Sequence, residues 1–290
     1  MRDFCLYEQI EHKLIIESEA VAMLLPDYHI HTARCGHATG EMWEYVEKAL
    51  ELGLPEMGFA DHIPMYWLND RDRDPGIAMT LESLAEYVAE VERLRVAYPG
   101  IPIRLGIEAD YVPGFEMELQ KILDRYPFDY VLGSVHYIDG WGFDNPAYLD
   151  QYKYINIDDL FSRYFGLVWQ AARSGLFHVM AHPDLIKKFG YRPQGNLQEV
   201  YDKTARIFAE AGVGVEINTA GLRVPAKEIY PAIGLLQACR NYAVPVTTGS
   251  DAHEPGQVGY AFDSVRQLLR EVGYADVVFR SGNKVNFWTF

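Results

Sequence analysis

Two hydrophobic rhythms alternate along the chain. Short continuous apolar runs read as buried strands. Between them apolar residues return at intervals of three and four, the period of an amphipathic helix. The runs fall at residues 22–25, 57–60, 103–107, 130–135, 177–181, 213–217 and 244–248, with a last short one at 277–279. The helical segments fall at 41–52, 81–98, 115–125, 159–174, 197–211, 229–241 and 259–272. Gly53 follows the last periodic residue of the first helix, a usual stop, and Thr80 opens the second with Glu82 in its first turn. Two long irregular stretches, 63–79 and 139–146, break the rhythm, and loops of that length in a compact domain tend to cover a functional site. Seven strands alternating with helices predict an α/β fold whose parallel sheet closes into a (β/α) barrel. No linker, charge block or internal repeat divides it, so residues 23–290 are expected to form one domain behind an extension, residues 1–22.

What stands at the strand ends turns this pattern into chemistry. In such barrels the C-terminal ends of the strands form the active face. His29 with His31, His62, Glu108, His136, His182, and Asp251 with His253 all fall there. His29 and His31 are two residues apart on a strand and so project from one face. A turn through Cys35-Gly36 can bring His37 back over the same spot. Of the nine histidines, His12 lies in the extension and His178 opens its strand at the opposite end, which leaves seven on one face. Any one of them is as readily a hydrogen-bonded core or loop residue. Seven together crowd nitrogens that need partners, and a metal supplies them. Imidazole with carboxylate, and no clustered thiolate, suits Zn, Mn or Fe. Seven His, one Glu and one Asp exceed the needs of one ion and fit two or three.

Composition narrows the classes. A net charge of −15 argues against a nucleic-acid or anionic-membrane surface. No apolar run approaches the ~20 residues of a membrane helix, and the acidic extension carries no export signal. Three cysteines, Cys5, Cys35 and Cys239, without CxxC spacing fit a reduced, cytoplasmic setting better than a disulfide framework. There is no phosphate-cradling GxxxxGK[ST], no GxGxxG and no GxSxG nucleophile elbow. Cys35 could act as a nucleophile, but between candidate ligands a packing or turn role is the stronger expectation. A binuclear amidohydrolase would share the HxH and the late Asp, yet would want a bridging Lys where Glu108 stands.

The ordered set His29-x-His31, His37, Asp61-His62, Gly106-Ile107-Glu108, Gly133-Ser134-Val135-His136, Ala181-His182-Pro183 and Gly249-Ser250-Asp251-Ala252-His253 resembles the motifs of the polymerase-and-histidinol-phosphatase (PHP) superfamily. Cys35-Gly36-His37-Ala38, residues 134–144 and residues 216–223 are similar to the PHP-type histidinol-phosphate phosphatases. The resemblance spans about residues 24–275, and it implies a distorted (β/α)7 barrel with three divalent transition-metal ions. The first ion would take His29, His31, Glu108 and Asp251; the second would share Glu108 and add His136 and His182; the third would take His37, His62 and His253. It also implies hydrolysis of a small phosphate monoester, L-histidinol phosphate, by a hydroxide bridging the ions, as a step of histidine biosynthesis. Glu108, Asp251 and His253 would carry the catalytic centre, with metal-bound water or a group such as Asp61 or Asp110 available to protonate the leaving group. Arg223, in the loop after the sixth strand, reads on its own as a solvated loop arginine, and with the resemblance as a fork that would grip two phosphoryl oxygens. Another small phosphate monoester or a nucleotide is the alternative substrate, and nothing in the sequence speaks to oligomeric state.

Overall fold

The computed structural model describes residues 24–281 and 284–290. The expected extension, residues 1–22, lies outside them. Strands β1 (Met57–Phe59), β2 (Ile103–Asp110) and β3 (Tyr130–Ser134) pair in parallel. Two short strands, β4 (Tyr137–Ile138) and β5 (Trp141–Gly142), form a small antiparallel hairpin in the second long loop. The main sheet then continues through β6 (Val179–Met180), β7 (Gly214–Asn218) and β8 (Val246–Gly249), in the order β1-β2-β3-β6-β7-β8. Helices α1 (Met42–Leu52), α2 (Leu81–Ala97), α3 (Glu116–Leu123), α4 (Ile157–Arg173), α5 (Gln198–Ala211), α6 (Ile233–Asn241) and α7 (Phe262–Val272) follow the strands in turn.

The seventh strand of the ring is irregular. Of the expected run at 22–25, only residues 24 and 25 are described and neither lies in a strand; the pairing is made by the segment 27–31. Asp27 bridges to Met57 on β1, while Ile30 bridges to Ala252 beyond β8. Gly58 N donates to Asp27 O at 2.8 Å and Tyr28 N to Thr248 O at 3.0 Å, so the segment lies between first and last strands and closes the circle. The Asp27 carboxylate explains the irregularity. It accepts from the backbone N–H of His29, Ser250 and Gly259, substituting a side chain for ladder bonds. The result is the distorted barrel that the family resemblance implied.

Alternation along β2 sets the function of each face. Ile103, Leu105, Ile107 and Ala109 point outward into the core shared with the helices. Arg104, Gly106, Glu108 and Asp110 point inward, rising from the closed end of the barrel to its mouth. The interior is filled by a separate cluster of Tyr28, Ala60, Tyr130, Leu132, Ala181 and Phe279. Phe279 belongs to a C-terminal hairpin, β9 (Asp276–Ser281) with β10 (Lys284–Thr289). The second of these strands was not expected from the hydrophobic pattern. Among the described residues no helix is long and apolar enough to cross a membrane.

Candidate metal centre

All nine predicted ligands meet at the C-terminal mouth. Glu108 stands at the centre, 1% exposed, on the inward row of β2. Its Oε1 lies 2.9 Å from His182 Nε2 and 3.7 Å from His136 Nε2; its Oε2 lies 3.0 Å from His62 Nδ1, 3.4 Å from His29 Nε2 and 3.6 Å from His31 Nε2. Asp251 Oδ1 is 3.1 Å from His31 Nε2 and 3.5 Å from His253 Nδ1. Two imidazole pairs face each other nitrogen to nitrogen: His29 and His31 at 3.0 Å, His37 and His253 at 3.1 Å, both through Nε2.

A layer of carbonyls and carboxylates behind the imidazoles turns those nitrogens inward. His29 Nδ1 lies 2.6 Å from Glu216 Oε1, His31 Nδ1 3.3 Å from Asp61 Oδ1, and His136 Nδ1 2.8 Å from Asp110 Oδ1. His37 Nδ1 is held by the Cys35 and Gly76 carbonyls, and His253 Nδ1 by the Asp251 carbonyl. This is how proteins orient imidazole for a metal, since occupying one ring nitrogen leaves the other's lone pair free. Glu216 also accepts from His182 N at 2.9 Å. A Cβ on Gly249 would lie 2.1 Å from Glu216 Oε1 and 2.5 Å from His29 Cβ, so only glycine leaves room for that pair. Gly36, with φ +83°, turns the chain under the Pro75 carbonyl and so delivers His37.

Two of the non-glycine residues with left-handed backbone belong to the cluster. His182 (φ +25°) and Asp251 (φ +55°) are non-glycine residues in the left-handed region, a conformation that persists only where the surroundings enforce it.

Electrostatics pull the cluster in opposite directions. Burial works against ionising Glu108 and Asp251, yet the surrounding imidazoles hold both carboxylates well below their usual range. Burial would also lower His29 and His31, but carboxylates overcome it and raise both well above an ordinary histidine. His62 and His253 are pushed down, by burial first and by neighbouring imidazoles after it. With each Nδ1 turned to an oxygen, the facing Nε2 atoms of a neutral pair bring two lone pairs together, and Glu108 Oε2 and His182 Nδ1 are buried without hydrogen bonds. Cations relieve all of these conflicts at once. Overlapping donor triads, His31–His62–His253 and His29–His31–Asp251 among them, have ligand atoms within 4.8 Å of one another. The residues therefore fit a multinuclear divalent centre.

Two readings from sequence need revision, and one residue escaped them. Asp61 cannot donate a proton to a substrate: it is fully buried and accepts from Thr32 N, Thr32 Oγ1 and His62 N while facing His31. Asp110 lines the cleft, but its Oδ1 is committed to His136 N and Nδ1, so it orients the His136 ring. Glu216 was missed. The available signal was a single charge inside the apolar run 213–217, which a buried strand tolerates only with a partner.

Arg223 lies beside the mouth, where its Nη2 donates to the Ser250 and Asp251 carbonyls at 2.7 and 2.9 Å. Its Nη1 is buried with no hydrogen-bond partner, and its guanidinium stacks 5.1 Å from the Tyr260 ring centroid. A cleft of about 850 Å³ opens above His37, His62 and His136. Both long loops wall it, contributing Asp72, Asp74, Tyr137, Asp139, Trp141 and Asp144, and Lys188 enters it paired to Asp144 at 2.9 Å.

A closed parallel barrel with clustered imidazoles and carboxylates at its C-terminal mouth defines a metal-dependent hydrolase class. The PHP domain matches residues 27–220 and the PHP-associated segment residues 236–266, and the chain belongs to the PHP-domain family. It is 42% identical over 257 residues to a probable histidinol-phosphatase of Deinococcus radiodurans, covering 88% of this chain and 96% of that protein. It is 29% identical to the histidinol-phosphatase of Bacillus subtilis, over 82% of this chain and 97% of that one. The fold matches the histidinol phosphate phosphatase of Lactococcus lactis, solved with zinc, L-histidinol and phosphate. That match has a TM-score of 0.76 at 23% identity and covers 90% of this chain and 98% of that one.

Proposed function

We propose that this chain hydrolyses L-histidinol phosphate to L-histidinol and phosphate, as a cytoplasmic step of histidine biosynthesis. The observation that carries the proposal is the convergence of seven imidazoles, Glu108 and Asp251 beneath one cleft. The identity to the Deinococcus protein, along nearly the whole of both chains, supports the same reading.

Three divalent ions, zinc, iron or manganese, would be held as the motifs imply. His29, His31, Glu108 and Asp251 would hold one, Glu108, His136 and His182 a second, and His37, His62 and His253 a third. When bound, such ions supply a hydroxide nucleophile at neutral pH and offset the charge on phosphoryl oxygens. The protein's own work is placement. Glu108 presents one carboxylate oxygen towards His182 and His136 and the other towards His62, His29 and His31, which suits a bridge. Glu216, Asp61 and Asp110 hold the imidazoles so that donor atoms point inward without rearrangement. Arg223 offers Nη1 to a phosphoryl oxygen while Nη2 fixes the backbone that carries Asp251. Charge-assisted bonds of this kind are stronger than neutral ones.

The cleft above the centre favours histidinol phosphate over other phosphate monoesters. Asp72, Asp74 and Asp139 line it beside the aromatic surfaces of Tyr137 and Trp141. An acidic, aromatic wall suits a leaving group that carries an ammonium and a flat ring, and repels the additional phosphates of a nucleotide. The decisive experiment is a panel of phosphomonoesters assayed with metal-loaded enzyme. Histidinol phosphate should show the highest kcat/KM; a higher value for glycerol phosphate or a nucleotide would transfer the proposal to that substrate.

A further inference from the structure

The outermost donor group contains a residue that the ligand assignment above leaves out. Cys35 is fully buried, one residue before the Gly36 turn. Its Sγ and one nitrogen each of His37 and His253 lie within 4.8 Å of one another. His37 Nδ1 and His253 Nδ1 are occupied by backbone carbonyls, so both rings turn Nε2 inward, 3.1 Å apart. The Asp251 carboxylate that lies 3.1 Å from His31 Nε2 approaches His253 at the other ring nitrogen, Nδ1, at 3.5 Å. A cation between the two Nε2 atoms would find in the Cys35 sulfur an anionic donor within reach of both rings.

We propose that Cys35 binds the outermost metal ion as a thiolate, together with His37 and His253. The inference rests on the metal-centre reading given above. On loading, the sulfur gives up the S–H that it now directs at the Thr32 carbonyl, 3.1 Å away, the proton passes to solvent, and the S–H bond is replaced by a sulfur–metal bond. The three positions then differ in kind. Glu108 and Asp251 make the inner ones hard and oxygen-bearing, whereas a nitrogen–sulfur set is soft and selects zinc over manganese. The centre would be of mixed character, with an outer position that retains zinc when manganese is supplied in excess.

The test uses the full chain loaded with cobalt(II), with metal content and phosphatase activity measured on the same sample. The wild type should show a sulfur-to-cobalt charge-transfer band in the near ultraviolet. Cys35→Ser should lose that band while retaining the inner ions. Should Cys35→Ser fail to fold, X-ray absorption on the zinc-loaded wild type decides by itself, since a thiolate contributes a Zn–S distance of about 2.3 Å and histidine does not. A fully loaded wild type without the band or the Zn–S distance overturns the proposal, as does a band that survives in Cys35→Ser. Either result alongside normal hydrolysis of histidinol phosphate leaves the phosphatase reading intact, and absent hydrolysis with the sulfur signal present overturns only the phosphatase reading.

Discussion

At the closed end of the barrel, Tyr28, Tyr130 and Phe279 stack into the interior, Tyr28 and Phe279 with ring centroids 4.3 Å apart. Polar atoms there find partners. Tyr28 OH donates to Glu56 at 2.8 Å and accepts from Trp288 Nε1 at 3.1 Å, Arg104 grips Glu56 through two bonds of 2.8 Å, and Tyr130 OH reaches the Tyr28 carbonyl. At the open end stand Glu108 on β2 and His182 and Asp251 just beyond β6 and β8, with buried atoms lacking hydrogen bonds and two residues in left-handed backbone. Neighbours on one strand thus serve opposite ends: Arg104 and Glu108 share the inward face of β2, four residues apart. The closed end satisfies its groups internally and contributes stability. The open end leaves its groups for a ligand, and local rules are broken where function requires it.

The largest expected effect breaks the open end alone. Removing an orienting partner behind a metal ligand typically costs 10–100-fold, and Glu108 serves two proposed ions. Glu108→Ala should therefore lower kcat by about 1,000-fold or more and release two ions, where His37→Ala releases one. Elemental analysis beside steady-state kinetics measures this. Equal losses in the two variants would remove the bridge.

Next in size is the reciprocal change at the closed end. Phe279→Ala deletes a buried ring and leaves a cavity, at a cost of about 3–5 kcal/mol. For a chain of this size the melting temperature should fall by roughly 10 °C. Metal content and kcat of the folded enzyme should stay near wild type. A fall in kcat as large as that of Glu108→Ala would show that the two ends are not separable.

Glu216→Gln probes the boundary between them with a smaller effect. The amide keeps the shape but lacks the charge that sets the His29 tautomer, so affinity for the ion at His29 should fall about 10–100-fold. Competition with a chelator reads this directly. Unchanged affinity would make Glu216 a purely structural residue.

Legibility in the sequence follows the same division. The metal-ligand candidates were visible because histidine is rare in strand ends and each stood after a readable apolar run. The barrel followed from alternation alone. The orienting layer was harder, because its members are carboxylates whose partners are far away in sequence: Glu216 meets His29 across 187 residues. Asp61 and Asp110 were seen as acids near the site, and only coordinates reveal which atoms they already serve. The closed end was least legible. Tyr28, Tyr130 and Phe279 are ordinary apolar positions until the ring closes, and β10 interrupts Val285, Phe287 and Trp288 with Asn286, so it forms no continuous apolar run. The first strand was misplaced because Asp27 uses its side chain where a regular strand would use backbone.

Arg223 offers the finest cut, because it touches both the fixed backbone and the open mouth. Sequence reasoning assigned its whole guanidinium to phosphate, with both arms of the fork engaged. The structure commits Nη2 to the Ser250 and Asp251 carbonyls and leaves Nη1 without a partner. One charge-assisted hydrogen bond, rather than two, is then available to substrate. Such a bond contributes at least about 1.5 kcal/mol, so Arg223→Met should lower kcat/KM for histidinol phosphate roughly 10-fold. The carbonyl contacts add a second route to the same loss, since freeing the Ser250–Asp251 backbone could displace Asp251. Metal analysis on the assayed preparation separates them: full metal with a lower kcat/KM assigns Arg223 to substrate, whereas matched losses of metal and rate assign it to bracing Asp251. Wild-type kinetics with full metal would leave Arg223 no part in either.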